Sequence, residues 1–268
     1  MGLIEIADAG DGRLADYRLL VDREARRTNA GDEYFIAEGF VAIDKTIESG
    51  HRLRSVLLIP SRVARFEHHL AALDAAGVPV YVVDRDVVAD TVGFSVHRGV
   101  LASADRRPLA TVTDLASRCA RVGVLEGLND PENVGAIARA ARALGIDGLV
   151  LDRRCTDPYS RRSIRVSMGE ILFLPVARSD DLAGVLDELH RHGFESWAMT
   201  PAGDDDLWTI RTPGRLAIVV GAEGPGLEHT TLTGCTRRVR IPIESDVDSL
   251  NVGQAAAITF AAIRREMN

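Results

Sequence analysis

Three times in the second half of this chain an apolar run ends in a turn of small and polar residues, and twice a helix-forming stretch follows at once. The last of them reads Ile241-Pro242-Ile243-Glu244-Ser245-Asp246-Val247-Asp248-Ser249-Leu250-Asn251-Val252-Gly253-Gln254 and runs on into alanines. Strands alternating with helices make a parallel sheet covered on both faces. In such sheets ligands sit at the carboxyl ends of the strands. The three turns are therefore expected to converge on one pocket.

The first turn is Glu126-Gly127-Leu128-Asn129-Asp130-Pro131-Glu132-Asn133-Val134-Gly135, followed by Arg139. Asp130 suits a helix N-cap and Pro131 the first helical position. Val134, Ile137, Ala141 and Leu144 give a buried stripe, and Gly145 ends it. Arg139, with Gly135 and Arg142 on its side, falls on the polar face, about 120° around the helix from Asn133. Taken alone, such an arginine only solvates that face. The second turn, Val220-Gly221-Ala222-Glu223-Gly224-Pro225-Gly226, places three glycines around one acid. Glycines permit positive φ and close approach of a ligand to the backbone. The same residues also describe a tight turn with a solvated Glu223, and their spacing is not that of a dinucleotide-binding loop. In the third turn Ser249 is placed as N-cap and Asn251 in the first helical turn, where backbone N–H groups lack partners. Capping alone explains Ser249 better than Asn251.

The remaining pattern gives two halves. Ile36, Phe40, Ile43 and Ile47 recur at helical spacing up to Gly50, and Val56–Ile59, Val80–Val83 and Val100–Ala102 read as strands. Residues 103–117 are polar and broken by Pro108, so the joint is placed there. The predicted organisation is a first domain over 1–105, a linker over 106–117 and a second domain over 118–268. The second domain begins at the strand Val122–Leu125 and ends in a helix over 250–265.

A net charge of −7 argues only weakly against a nucleic-acid partner, because the cations are clustered. Arg106-Arg107 and Arg161-Arg162-Arg165 are two such groups, and Lys45 is the only lysine. Surface solvation is the alternative for any one of them. Cys119, Cys155 and Cys235 are odd in number and widely spaced, which points to buried thiols rather than zinc or disulfides. No metal is expected. No apolar run reaches the length of a membrane span, and Glu5, Asp8 and Asp11 do not fit a signal peptide, so a cytoplasmic protein is expected.

Together the three turns resemble the SpoU (TrmH-like) family of RNA ribose 2′-O-methyltransferases, in the SPOUT superfamily. Asn129-Asp130-Pro131-Glu132-Asn133-Val134-Gly135 with Arg139 matches its N-P-x-N-x-G-x-x-x-R pattern, with Asp130 inserted. Gly221-Ala222-Glu223-Gly224-Pro225-Gly226 matches G-x-E-x-x-G, and Ile241-Pro242 with Ser249-Leu250-Asn251-Val252 matches I-P…S-L-N-V. The first half resembles the family's substrate-binding domain, a small α/β unit similar to a ribosomal protein. The resemblance implies a parallel-sheet α/β methyltransferase domain with a trefoil knot, binding S-adenosylmethionine and acting as a homodimer. It implies Asn133, Arg139, Glu223, Ser249 and Asn251 as the catalytic set, and Thr200, Gly221, Ile241 and Leu250 as cofactor-pocket residues. Arg106, Arg107, Arg161, Arg162 and Arg165 become candidate RNA contacts. Two departures stand out: Gly253-Gln254 where small residues or valine are usual, and Ser160-Arg161-Arg162 where a lysine is common.

Ribosomal RNA is the expected substrate, ahead of tRNA, because minimal tRNA-acting members usually lack the first domain. Methylation that confers antibiotic resistance is a variant of that reading. A non-catalytic RNA-binding or ribosome-assembly factor, and a nucleotide-binding regulator built on Gly221–Gly226, are the alternatives from other classes.

Overall fold

Tyr34-Phe35-Ile36-Ala37-Glu38 is buried at every position and forms a strand, so Ile36 does not belong to the helix that its spacing suggested. Tyr34 and Ile36 join one apolar cluster, while Phe35 on the opposite face stacks on Tyr159 and meets His51 edge-on. A strand covered on both faces shows no alternation, and Ile36 then mimics a helical stripe with Phe40 and Ile43. Gly39, at φ 93°, ends the strand in a conformation other residues avoid, and the helix starts at Phe40.

The computed structural model describes residues 2–18, 20 and 33–265. It divides into two units, Met1–Arg107 with Tyr159–Gly169, and Pro108–Pro158 with Glu170–Asn268. The first unit contains β1 (Ile4–Ile6), β2 (Tyr34–Glu38), α1 (Phe40–Glu48), β3 (Leu53–Leu58), α2 (Val63–Ala75), β4 (Val80–Val83), α3 (Arg85–Val92) and β5 (Val100–Asp105). Its sheet runs β1-β4-β3-β5-β2 and is mixed: β5 is antiparallel to both β3 and β2.

The second unit opens with α4 (Val112–Arg118), a helix inside the stretch read as a linker. Thr111 and Asp114 form a reciprocal capping box, which fixes the helix start just after Pro108. Then come β6 (Arg121–Glu126), α5 (Pro131–Leu144) and β7 (Gly148–Asp152). The next helix, α6 (Arg161–Val166), packs with β2 of the first unit, although the chain on either side of it belongs to the second. The second unit continues with β8 (Val176–Ser179), α7 (Leu182–Arg191), β9 (Glu195–Met199), β10 (Asp205–Asp206), β11 (Leu216–Gly221), α8 (His229–Gly234), β12 (Arg237–Arg240) and α9 (Val252–Arg265).

Seven strands in the order β10-β12-β9-β11-β6-β7-β8 make one all-parallel sheet. Val122, Val124, Val150, Ala217 and Val219 face one side, where Leu115 of α4 and Val185, Leu186 and Leu189 of α7 cover them. Gly123 points the other way, towards Phe260 of α9, and α9 packs along α5 on that face. The strand expected around Val239–Ile243 stops at Arg240, and residues 241–251 form an irregular, largely exposed loop. Because β12, β9 and β11 are parallel neighbours, the turns after Arg240, Met199 and Gly221 emerge along one sheet edge, with the turn after Glu126 beside them.

Candidate active site

Asn251 is the residue on which the three turns meet. Its side-chain oxygen accepts from the N–H groups of Gly253, at 2.9 Å, and Gln254, at 3.2 Å, so Asn251 caps α9. Ser249 is therefore not the cap; it lies two residues before Asn251 in the exposed loop. Asparagine has donors left after its oxygen is used. Here the Asn251 amide donates to Asn133 Oδ1, at 3.0 Å, and to Glu223 Oε1, at 2.5 Å. One side chain thus joins the start of α9, the first turn of α5 and the loop after β11.

Each partner is placed by local chemistry. Asp130 caps α5 by accepting from the Glu132 N–H, Pro131 opens the helix, and Asn133 follows in its first turn, buried. Gly253 lets α9 approach: a Cβ there would lie 3.2 Å from Asn251 Oδ1 and 3.4 Å from the Ala136 methyl. The departure at position 253 is thus explained by packing between two helix starts. Gly135, read onto the polar face of α5, is buried.

The loop bearing Glu223 closes on itself. A Cβ on Gly221 would lie 2.4 Å from the Gly226 carbonyl carbon and 2.5 Å from the Leu227 nitrogen. The space that glycine opens at position 221 is filled by the chain's own backbone. Gly226 donates back to the Ala222 carbonyl at 3.0 Å, and Gly224 and Gly226 take φ of 84° and 71°. Around those last two glycines there is open space, and Glu223 is exposed.

Thr200 donates its N–H to the Val239 carbonyl at 3.0 Å, directly after β9. Gly203 in the same turn lies against β12, where a Cβ would meet the Arg240 nitrogen at 2.5 Å. Arg240 holds the turn by donating to the carbonyls of Gly203, at 2.8 Å, and Asp204, at 3.1 Å. Gly203 was not singled out from the sequence, because a lone glycine has no local signature. Gly221, Ile241 and Leu250 are half-buried at the same sheet edge or in the loop that leaves it. Arg139 and Ser249 are exposed, and neither side chain has a hydrogen-bond or ion-pair partner among the described residues.

Beneath this edge lies a second polar group that the sequence reading missed. Glu126, 2% exposed at the end of β6, accepts from the Glu228 N–H at 3.0 Å and the Thr231 hydroxyl at 2.9 Å. Arg154 lies 3.6 Å from Glu126, 3.0 Å from Asp152 and 2.6 Å from Glu228. Burial works to raise the Asp152 pKa, but hydrogen bonds from the Gly127 backbone, Cys155 and Arg154 outweigh it and hold the carboxyl below its usual range. Burial pushes the neighbouring Cys155 thiol up to about 12, so it is a protonated, unreactive group.

The five arginines singled out as RNA contacts all belong to the first unit. Arg161 pairs with Glu38, a carboxylate 4% exposed, and its guanidinium lies 4.2 Å over the Phe94 ring. Arg165 lies 3.7 Å from the same carboxylate. Burial pulls the Arg161 pKa down against the attraction of Glu38. Arg106 donates to the Tyr34 carbonyl at 3.1 Å and covers the Tyr159 ring at 5.1 Å, while Arg107 donates to the Gly50 carbonyl. Arg107 and Arg162 are the two exposed members.

Asp44, His68 and His69 bring potential metal-ligating atoms within 4.8 Å in the first unit. Asp44 and His69 already satisfy each other at 2.7 Å, and the two imidazoles lie with centroids 3.9 Å apart and planes tilted by 41°. The arrangement is that of a hydrogen-bonded pair beside a second, tilted imidazole.

Residues 121–261 match the SpoU rRNA Methylase family, and residues 36–110 match the RNA 2′-O ribose methyltransferase substrate-binding domain. An uncharacterized tRNA/rRNA methyltransferase of Mycobacterium tuberculosis is 38% identical over 262 residues, 96% of this chain and 90% of that protein. The 23S rRNA (guanosine-2′-O-)-methyltransferase RlmB of Escherichia coli is 28% identical over 85% of this chain and 97% of its own length. Among solved structures, an AdoMet-bound rRNA methyltransferase from Sinorhizobium meliloti superposes with a TM-score of 0.83 at 25% identity, covering 99% of each chain. AviRb from Streptomyces viridochromogenes, in complex with AdoMet, gives 0.81 at 25% identity, covering 96% of this chain and 98% of its own.

Proposed function

This chain belongs to the SpoU rRNA Methylase family, and from that premise we propose that it methylates a ribose 2′-hydroxyl in ribosomal RNA, using S-adenosylmethionine. The observation that supports this most is Asn251, which ties Asn133 and Glu223 into one polar group while Arg139 has no partner among the described residues. A charged group without an internal partner is available to a substrate.

The cofactor fits the sheet edge at Thr200, Gly221, Ile241 and Leu250. There the turns after three adjacent strands meet, and the loop at Gly224 and Gly226 borders open space. When bound, the sulfonium supplies an already activated methyl group. The protein's task is then to align the ribose and ease the loss of one proton. A guanidinium offers donors and no acceptor, so the role of Arg139 is to hold a phosphate and stabilise charge developing on the 2′-oxygen. Asn133 and Asn251 orient the ribose side of the site, Glu223 fixes the Asn251 amide, and Ser249 offers a hydroxyl from the exposed loop.

We assign RNA holding to the first unit, with Arg107 and Arg162 as its exposed backbone contacts and Arg106, Arg161 and Arg165 held more deeply. Family membership also supports a homodimer and a trefoil knot. The entry of β11 between β9 and β6, strands formed earlier in the chain, is consistent with a threaded path. Among the described residues no helix is long and apolar enough to cross a membrane, and we assign the protein to the cytoplasm. The test is transfer of labelled methyl to purified rRNA and tRNA, with nuclease digestion to the nucleoside. A 2′-O-methyl nucleoside from rRNA supports the reading; one from tRNA alone moves the substrate; label on a base overturns the chemistry.

A further inference from the structure

We propose that Glu126 and Arg154 are positioning residues for this site: they lock the far end of the loop that presents Glu223. The inference rests on the methyltransferase reading above and extends it to two side chains outside the three turns.

The helix α8 has Glu228 at its N-cap position, and that side chain makes no capping bond. Its orphan N–H groups need a partner, and Glu126 supplies one from 102 positions earlier in the chain. The same carboxylate accepts the Thr231 hydroxyl, so both of its oxygens are used to seat the first turn of α8. Glu126 is also the register partner of Gly221 across the β6–β11 pair. The loop 222–227 is therefore pinned at one end by β11 and at the other by Glu126, with Glu223 between the pins.

A carboxylate this buried needs a counter-charge. Arg154 gives it one and serves Asp152 and Glu228 at the same time. Three acceptors in different directions suit a planar guanidinium fork; an ammonium satisfies them one at a time. Arg154 also lies behind Gly127, 3.8 Å from where a Cβ would stand, so it touches the turn leading to Asn133 as well. Removing it leaves two buried carboxylates and Glu228 repelling one another directly beneath the loop. The strain then falls on Glu223, whose partner Asn251 holds Asn133.

The test uses the full-length chain as Arg154→Lys, Arg154→Ala, Glu126→Gln and Thr231→Val. S-adenosylmethionine affinity is measured by calorimetry, and amide hydrogen exchange is measured along the chain without cofactor. Both Arg154 variants and Glu126→Gln are expected to weaken the cofactor at least tenfold and to speed exchange over 222–231 while leaving α5 and α9 unchanged. Thr231→Val, which removes one uncharged bond, is expected to weaken it about threefold. Affinity within twofold of wild type with unchanged exchange overturns the inference, as does full rescue by Arg154→Lys. Should the charged variants not fold, Thr231→Val decides alone: unchanged affinity and unchanged exchange overturn it. Wild-type protein that binds no S-adenosylmethionine sinks the methyltransferase reading and this inference with it. Wild type that binds while every variant binds equally sinks the inference alone.

Discussion

Arg139 of the second unit differs from the arginines clustered in the first. In the first unit Arg161 and Arg165 converge on the buried Glu38, and Arg106 and Arg107 donate to backbone carbonyls. In the second unit Arg139, on α5 six positions after Asn133, has no side-chain partner among the described residues, while Asn133, Asn251 and Glu223 satisfy one another. A guanidinium already committed to a buried carboxylate cannot take up a phosphate without exposing that carboxylate to the cost of losing its pair. An unpaired one can. Pairing in the fold therefore separates arginines that clustering along the sequence groups together.

The sharpest way to break this comparison is at Arg139. Arg139→Ala is expected to lower the methyl-transfer rate about a thousandfold, roughly 4 kcal/mol of barrier, with S-adenosylmethionine affinity within threefold of wild type. Single-turnover rates with saturating RNA check it. An Arg139→Lys enzyme that keeps most of its turnover contradicts the role given to the planar fork.

The counterpart lies at Arg161. Arg161→Met leaves Glu38 buried with only the more distant Arg165, and is expected to cost about 3 kcal/mol of stability in urea unfolding. RNA affinity of the protein that remains folded should change less than twofold, with the same dependence on salt. A flatter salt dependence would show that Arg161 meets phosphate after all.

His51 extends the contrast, since it too serves the interior of the first unit. Burial first, and the nearby Arg107 second, push its pKa down from 6.5 to about 4. The folded imidazole is thus neutral where the unfolded one takes up a proton. Stability from this residue is complete above pH 6.5 and is lost as the pH falls towards 4, by up to about 3 kcal/mol. His51→Phe keeps an aromatic ring against Phe35 and Tyr159 and should flatten the unfolding free energy between pH 7 and 4.5 relative to wild type. Equal slopes in the two proteins would place the acid sensitivity elsewhere.

The smallest expected effect separates capping from chemistry at Asn251. Asn251→Ser keeps a good N-cap, whereas Asn251→Ala loses it and should be about 1 kcal/mol less stable. Neither can bridge Asn133 and Glu223, so both should lose about tenfold in turnover, near 1.4 kcal/mol. A serine variant with wild-type turnover would mean that the bridge does nothing for the reaction.

The sequence spoke clearly where structure is local. Asp130-Pro131 opened α5 and Gly145 closed it as their chemistry requires, and the three turns announced their strands and helices. It was silent or misleading where partners lie far apart. Ile36 looked helical because a strand buried on both faces has no alternation. The stretch around Pro108 looked like a linker, yet four residues later the Thr111–Asp114 capping box starts α4. Ser249 looked like the cap because serine is a common one, but Asn251 could also bond Asn133 and Glu223, 118 and 28 positions away. Glu126 gave no hint at all, since its partners Glu228 and Thr231 lie 102 and 105 positions along the chain.

The most direct measurement maps ribose methylation across all rRNA and tRNA from cells with and without this gene. One 2′-O-methyl in ribosomal RNA is expected to disappear with the gene and return with the wild-type chain, but not with Arg139→Ala. If every ribose methyl persists without the gene, the central claim is contradicted.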